Sequence, residues 1–356
     1  MFKSIKEADL GNKKVLMRVG FDVPVDGEGK VLDDTRIKES LPSIKYVLKQ
    51  RPKELTLIAH LGRPEGKPVE NLKLQFVAQH VAKLLDLGDI EETESKIDID
   101  EYRLASGFHM LENIRFNPEE EENDPRFAKR LASLGEIFIF EAFSAAHRRH
   151  ASTTGIMQHL PTYFGYEFER EIKNLKKILE GPESPFVVVI GGAKTEDKVP
   201  VIDNLGHLAD KILVGGRTSN LLRKEGKYKD DEKVILHTDG ISQQGEAVKA
   251  SDNPMAALDI GPKTVSEFKR LLTGSETVLV AGPLGKFEEE KFKEGTKEIY
   301  EFITDLDAYK LAAGGDTIEA LNKFKLYKKF DFVSTGGGAA LDFLSTGTLP
   351  VLEIKK

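Results

Sequence analysis

Cationic side chains stand just beyond apolar runs in the first half of this 356-residue chain: Arg36, His60, Arg63, Arg115, His147 and Arg148. A guanidinium fork grips a carboxylate or phosphate through two parallel hydrogen bonds, so several forks together suit a small, multiply charged anion. The second half supplies glycine turns beside lysine or aspartate: Gly191-Gly192-Ala193-Lys194, Gly314-Gly315-Asp316-Thr317 and Gly336-Gly337-Gly338. Where such turns open helices, backbone N–H groups and the helix dipole point at nucleotide phosphates. One anion on each half predicts phosphoryl transfer between the two.

Asp33-Asp34-Thr35-Arg36 precedes the helical pattern Ile37, Leu41, Ile44, Val47 and Leu48, which places Arg36 in a first turn capped by Asp or Thr. A cation is misplaced at that end of the dipole unless an anion or Asp34 neutralises it. A surface pair with Asp33 or Asp34 is the plain alternative. His60-Leu61-Gly62-Arg63-Pro64 follows a strand, and its glycine turn brings His60 and Arg63 to one side of the strand's carboxyl edge; a lone histidine there is more often structural. Leu111–Phe116 adds Arg115, and Ala146–Ser152 sets His147, Arg148, Arg149 and His150 in a row that could equally be a solvated turn. Lys194 and Lys198, four apart, share a face if helical, and like charges so placed favour an anion between them. Asp316 could hold Mg2+ through one carboxylate plus substrate phosphates, or Asp316 and Thr317 could merely cap a helix. The conjunction of these sites outweighs their separate alternatives.

The elements that must carry them alternate between short β-branched runs and longer helical patterns, the signature of parallel sheets with crossover helices. Predicted strands are Lys14–Val19, Leu55–Ala59, Ile137–Phe140, Phe186–Ile190, Lys211–Val214, Thr277–Val280 and Tyr309–Ala312. Ile172, Leu175, Ile178 and Leu179 give the segment between Tyr163 and Gly181 one apolar face, and it reads as a helix joining two domains or as an ordinary crossover. The expected division is 1–165, a connecting helix 166–181, and 182–339. The acidic stretches Glu91–Asp100 and Glu119–Asp124 read as solvated loops or helix starts. Composition is that of a soluble enzyme, 40% hydrophobic and 31% charged, and a net charge of -7 argues against nucleic acid as partner. Cysteine is absent, which excludes a thiol nucleophile and thiolate metal sites. No apolar run reaches the ~20 residues of a bilayer span, and the first residues lack a secretory signal's apolar core, so a cytoplasmic protein is expected. Neither Gly-x-x-x-x-Gly-Lys-[Ser/Thr] nor Gly-x-Gly-x-x-Gly occurs.

Over nearly its whole length the chain resembles the phosphoglycerate kinase family, through Arg18–Pro24, Asp33–Arg36, His60–Pro64, Leu111–Phe116, Ala146–Ser152, Gly191–Lys198, Asp259–Lys263, Gly282–Glu288, Gly314–Thr317 and Ser334–Ala339, in that order. The resemblance implies two Rossmann-like three-layer α/β/α domains with mostly parallel sheets, joined by a hinge helix, with residues 340–356 returning to the first domain. It implies reversible phosphoryl transfer between 1,3-bisphosphoglycerate with MgADP and 3-phosphoglycerate with MgATP, in glycolysis, by a monomer whose partners are small molecules. Arg36, His60, Arg63, Arg115 and Arg148 would hold the phosphoglycerate, beside the loops Gly20-Phe21-Asp22 and Leu61-Gly62. Arg36, Lys194 and Lys198 would be catalytic, the lysines offsetting the transferring phosphoryl group and the nucleotide phosphates of ATP or ADP. Glu288 would face the ribose, Asp316 would bind Mg2+, and Gly314, Gly315 and Thr317 would cradle phosphates. Gly336, Gly337 and Gly338 would border the moving group.

The chain departs from the family pattern in places. Gly20 and Asp22 stand where the family has Asp and Asn, which removes one carboxylate and adds another that would repel a glycerate carboxylate unless protonated or paired with an arginine. Glu141 and Ser144 replace Asp and Gly, Arg217 enters a glycine-rich turn, and Val280-Ala281 replaces Trp-Asn. Two further readings follow: the same transfer onto another small acid, or a catalytically weak paralogue with a binding or regulatory role.

Overall fold

Uniformly apolar runs of four or five residues cannot leave one face in water, so as strands they must be covered on both sides. In the computed structural model, which describes residues 2–253 and 255–354, Ile137–Phe140, Phe186–Ile190 and Thr277–Ala281 are strands buried at every position. The chain divides into two compact units: residues up to Ile172 together with those from Leu349 onwards, and Lys173–Thr348.

The first unit holds β1 (Lys14–Arg18), β2 (Glu54–Ile58), β3 (Glu91–Glu94), β4 (Asp100–Ala105), β5 (Phe108–Leu111), β6 (Ile137–Phe140) and β7 (Thr162–Phe164). They form one seven-stranded sheet in the order β3-β4-β5-β2-β1-β6-β7. Pairing is parallel from β5 to β7, and β3 and β4 add an antiparallel edge. The register aligns Arg18 with Ile58 and with Phe140, so the loops after β1, β2 and β6 leave from one edge. Helices α1 (Thr35–Lys49) and α2 (Gln75–Leu84) pack Ile37, Ile44, Val47, Val77 and Val81 against Val15, Met17, Leu55 and Leu57. Two short helices follow, α3 (Pro118–Glu121) and α4 (Pro125–Ala132); then α5 (Tyr166–Leu179) carries the chain into the second unit.

The second unit has a six-stranded parallel sheet, β10-β9-β8-β14-β15-β16, from β8 (Phe186–Ile190), β9 (Lys211–Val214), β10 (Val234–Leu236), β14 (Thr277–Ala281), β15 (Tyr309–Ala312) and β16 (Phe332–Val333). A small antiparallel sheet joins β11 (Asp239–Ile241), β12 (Ala247–Lys249) and β13 (Asp259–Ile260). Its helices are α6 (Val199–Leu205), α7 (Gly216–Glu225), α8 (Pro262–Leu272), α9 (Glu294–Thr304), α10 (Gly315–Lys323) and α11 (Gly338–Thr346). Ile190 pairs with Val214 and Ala281, so Gly191, Gly215 and Gly282 emerge together at the carboxyl edge. Phe268, Leu272, Ile299 and Leu321 cover Val187, Val189, Val278 and Val280.

Three readings change. Glu91–Asp100 is not a loop but the start of the β3/β4 edge, whose charged side chains suit a strand with one unpaired side. Within Glu119–Asp124, Glu120 is fully buried while its neighbours are not. The return to the first unit starts at Leu349, with α12 (Pro350–Glu353), and not at residue 340, because α11 packs on α6 and stays with the second unit.

Candidate active site, one anion-binding edge on each unit

Parallel strands place ligands beyond their carboxyl ends, where the order of strands reverses. β1 is such a strand, flanked by β2 on one side and β6 on the other, and the cationic residues gather beyond it. Arg36, in the first turn of α1, donates through Nη1 to the Asp22 carbonyl at 2.7 Å. Asp34 does not neutralise it; that carboxylate takes Lys38 Nζ at 2.9 Å and His80 Nε2 at 3.1 Å. Asp33 instead accepts from the Thr35 N–H at 2.8 Å. Arg115 is buried and donates through Nη1 to the Gly62 carbonyl at 2.7 Å, with its Nε 3.3 Å from Glu121. Its buried Nη2 has no hydrogen-bond partner among the described residues, a donor held ready for an anion.

His60, 4% exposed, is where these charges meet. Burial first, then the guanidinium groups of Arg18, Arg115, Arg148 and Arg36, hold its pKa well below the ordinary histidine value. The ring is therefore neutral. Arg18 Nη2 lies 2.8 Å from His60 Nδ1, and a guanidinium can only donate, so Nδ1 accepts and the ring proton sits on Nε2. Nε2 is 3.6 Å from an Asp22 carboxylate oxygen, and the other Asp22 oxygen accepts from the Gly62 N–H at 2.9 Å. Asp22 is thus held by the Gly62 amide, with the neutral imidazole beside it but beyond hydrogen-bond distance, within the field of Arg18 and Arg115. The expected arginine partner of this carboxylate is not found among the described residues: Arg36 reaches the Asp22 carbonyl and not its side chain. A Cβ added at Gly20 would lie 3.5 Å from Ser144 Oγ and 3.7 Å from Ala142 Cα, so the position has room for a side chain. Leu61 and Phe21 are buried and shape the loops, whereas Arg63 is exposed beyond Gly62. Arg148 is half-buried and close enough to depress Arg115, His60 and His147; burial, then Arg148, takes His147 down to about 4.

In the second unit the edge is built from backbone. The turns after β8 and β14 cross so closely that a Cβ on Gly191 would lie 2.0 Å from the Pro283 carbonyl. Gly192 (φ +101°) and Gly314 (φ +100°) adopt conformations side chains disfavour. They bracket Lys198 and Asp316: a Cβ on Gly192 would be 3.8 Å from Asp316 Oδ2 and 3.8 Å from Lys198 Cε, and one on Gly314 would be 3.9 Å from Lys198 Nζ. Lys198 is 7% exposed; burial lowers its pKa, Asp197 and Asp316 oppose that, and Lys194 adds to it. The two lysines do not share a helical face, because α6 begins only at Val199 and Lys194 lies exposed in the loop before it. Gly314 precedes α10 without a side-chain cap, leaving the first amides of Gly315, Asp316 and Thr317 for a ligand. Thr317 cannot also donate its hydroxyl, which bonds the Ala313 carbonyl at 2.7 Å. Gly336 N–H bonds Ser334 Oγ at 3.2 Å, and Gly337 (φ +57°) and Gly338 lead into α11. Glu288 is exposed, with its carbonyl accepting from Lys323 Nζ at 3.0 Å. Arg217 is exposed in the first turn of α7, and its neighbour Thr218 bonds the Gly192 carbonyl at 3.1 Å.

Arg18, Glu120 and Ser152 belong to the first edge, although none of them carried a role in the sequence reading. Arg18 closes an apolar run as the other cations do, which is the signal that could have found it. Glu120 had none, since its burial depends on tertiary packing.

A phosphoglycerate kinase family model matches residues 5–252 and 226–347. The chain is 39% identical to the phosphoglycerate kinase of Coprothermobacter proteolyticus, over 98% of this chain and 97% of that protein. It is 40% identical to that of Chlorobium limicola, over 98% of each. Among solved structures, phosphoglycerate kinase from Coxiella burnetii superposes with a TM-score of 0.84 at 30% identity, over 99% of this chain and 98% of that one. The enzyme from Pyrococcus horikoshii gives 0.79 at 27% identity, with the same coverage.

Proposed function

As this chain belongs to the phosphoglycerate kinase family and is a phosphotransferase, we propose that its first unit binds 3-phosphoglycerate and its second ATP or ADP. The reaction is reversible transfer of one phosphoryl group between the acid's carboxylate and the nucleotide. The observation that carries this reading is the set of four guanidinium groups acting on the neutral His60, with the buried Arg115 Nη2 unpartnered. Asp22, Glu120 and Glu121 offset part of the repulsion within this cluster, and a bound anion would offset more of it.

Phosphoryl transfer needs alignment and charge compensation more than covalent or acid–base chemistry. Arg36, Arg115 and Arg148 offset the acid's phosphate and carboxylate, and His60 donates from Nε2. Lys198, with Lys194 beside it, offsets charge on the transferring group, while the amides opening α10 hold nucleotide oxygens. Asp316 fits Mg2+, since a carboxylate beside the Gly192 turn and Lys198, next to a phosphate cradle, is how this ion is usually held. When bound, Mg2+ neutralises phosphate charge. No helix among the described residues is long and apolar enough to cross a membrane; we read the protein as a cytoplasmic monomer with α5 as hinge.

The test is a coupled assay for 1,3-bisphosphoglycerate formed from ATP and 3-phosphoglycerate. Robust turnover is expected. Gly20 and Asp22 favour a second reading, transfer to a different small acid, which turnover only with that other acid would select.

A further inference from the structure

A chain of buried polar groups runs from α3 to the ring of His60. Glu120 is wholly buried and accepts from the Ser152 N–H at 2.8 Å and from Ser152 Oγ at 2.5 Å. Ser152 Oγ in turn accepts from Arg18 Nε at 2.9 Å. Arg18, 1% exposed, spends its other nitrogens on the Val19 carbonyl at 2.6 Å and on His60 Nδ1 at 2.8 Å. His150 Nδ1 lies 3.7 Å from Glu120 on the far side.

We propose that Glu120 is a positioning residue for the reaction: by holding Arg18 through Ser152, it fixes the tautomer of His60 and keeps the proton on Nε2, beside Asp22 at the edge that would bind the acid. This rests on the phosphoglycerate reading of the first edge.

Arg18 is an unfavourable cation to bury. Desolvation lowers its pKa to about 10, Arg115 and Arg148 push the same way, and Glu120 is the largest opposing influence, with Asp22 behind it. Glu120 acts on Arg18 as a buried countercharge across the Ser152 hydroxyl, and removing it leaves a buried cation less compensated, so the survivor moves or recruits water. Arg18 has one fork direction that satisfies Ser152, Val19 and His60 together. If the fork turns away, His60 Nδ1 loses its donor and the ring can place its proton on either nitrogen. Burial works to raise the Glu120 carboxyl, but His150, Arg18 and Ser152 together hold it below its ordinary range, so it is the charged partner this arrangement needs.

The experiment uses the full-length, ligand-free protein labelled with 15N, because long-range 1H–15N spectra report which nitrogen of His60 carries the proton. His60→Asn identifies the signals. The wild type is expected to have protonated Nε2 and bare Nδ1. Glu120→Gln keeps the shape and removes the charge. It should give a mixed or inverted tautomer and raise the KM for 3-phosphoglycerate roughly tenfold, as expected for one charge-assisted hydrogen bond lost, while the ATP KM stays put. If either the spectrum or the acid KM is unchanged in a folded Glu120→Gln protein, Glu120 only supports the fold and the proposal is overturned. Should that variant not fold, Ser152→Ala leaves both charges and removes the hydroxyl between them. It must shift spectrum and KM in the same direction, and a wild-type result there also overturns the proposal. The spectrum needs no substrate, so a wild type with the stated tautomer but no turnover of 3-phosphoglycerate would count against the functional reading and not against the tautomer.

Discussion

The two proposed anion-binding edges are built by opposite means. The first imports charge on side chains, burying Arg18 and Arg115 outright and half-burying Arg36 and Arg148, and must then bury Glu120 and place Asp22 among them. The second relies on backbone amides at glycine turns and buries one lysine of the proposed site, Lys198, leaving Lys194 and Asp316 exposed. Amides carry only partial charge and need no counterion. Guanidinium groups discriminate an acid by geometry but bring desolvation with them. A site of the first kind should be sensitive to charge, and one of the second kind to backbone conformation.

The largest expected effect bears on the exception in the second unit. Lys198→Ala should cost kcat roughly 10²-fold or more, as for loss of a preorganised transition-state donor. A near-wild-type rate in single-turnover measurements would mean that backbone alone suffices there. Arg115→Ala should lower kcat/KM for 3-phosphoglycerate about 30-fold through loss of charge-assisted hydrogen bonds, with the ATP KM unchanged. An equal loss on both substrates would break the contrast. Gly314→Ala, at φ +100°, strains the turn by about 1–3 kcal/mol; steady-state kinetics should show a raised ATP KM and an unaltered acid KM. Gly20→Asp combined with Asp22→Asn fits the room beside Ser144 and should lower the acid KM a few-fold. A higher KM would argue that Asp22, bonded to Gly62, is already well placed for this acid.

The smallest effect concerns stability. Glu141 is buried, and desolvation raises its carboxyl to about 8 despite the Ser43 hydroxyl and the Glu167 N–H; burial and the Glu141 charge push Glu167 up as well. A raised folded-state pKa means the native protein keeps a proton that the unfolded chain releases above its ordinary value near 4.5. Stability from this group is therefore full below that value and declines as pH rises toward about 8. Glu141→Gln cannot ionise, so its Tm should drop less than the wild type's between pH 5 and pH 8. Parallel Tm curves for the two proteins would exclude the mechanism.

Much of both edges was legible in the residues. Ile137–Phe140 and Phe186–Ile190 appear with the boundaries read from their apolar runs, because a strand covered on both faces must be apolar throughout. Tyr309–Ala312 also has the boundaries read for it, although its first two residues are half-buried. The helical pattern that begins at Ile37 correctly placed Arg36 in a first turn. Short strands such as Val234–Leu236 and Phe332–Val333 were missed, since two or three residues carry no periodicity. Lys194 and Lys198 were misplaced because a spacing of four suggests a helix only if one exists, and the turn after Gly192 delays its start to Val199.

What the residues alone determined is therefore the alternation of strand and helix and the presence of cations or glycines where strands end. Those follow from local rules, the apolar period and the φ angles glycine permits. Tertiary structure decided which charges meet. That Glu120 turns inward to Ser152 and Arg18, that Asp22 is held by Gly62 beside His60, and that His60 stays neutral all depend on groups far apart in the chain sharing one low-dielectric edge. Burial and Coulomb energy depend on distance in space, and no sequence spacing encodes that.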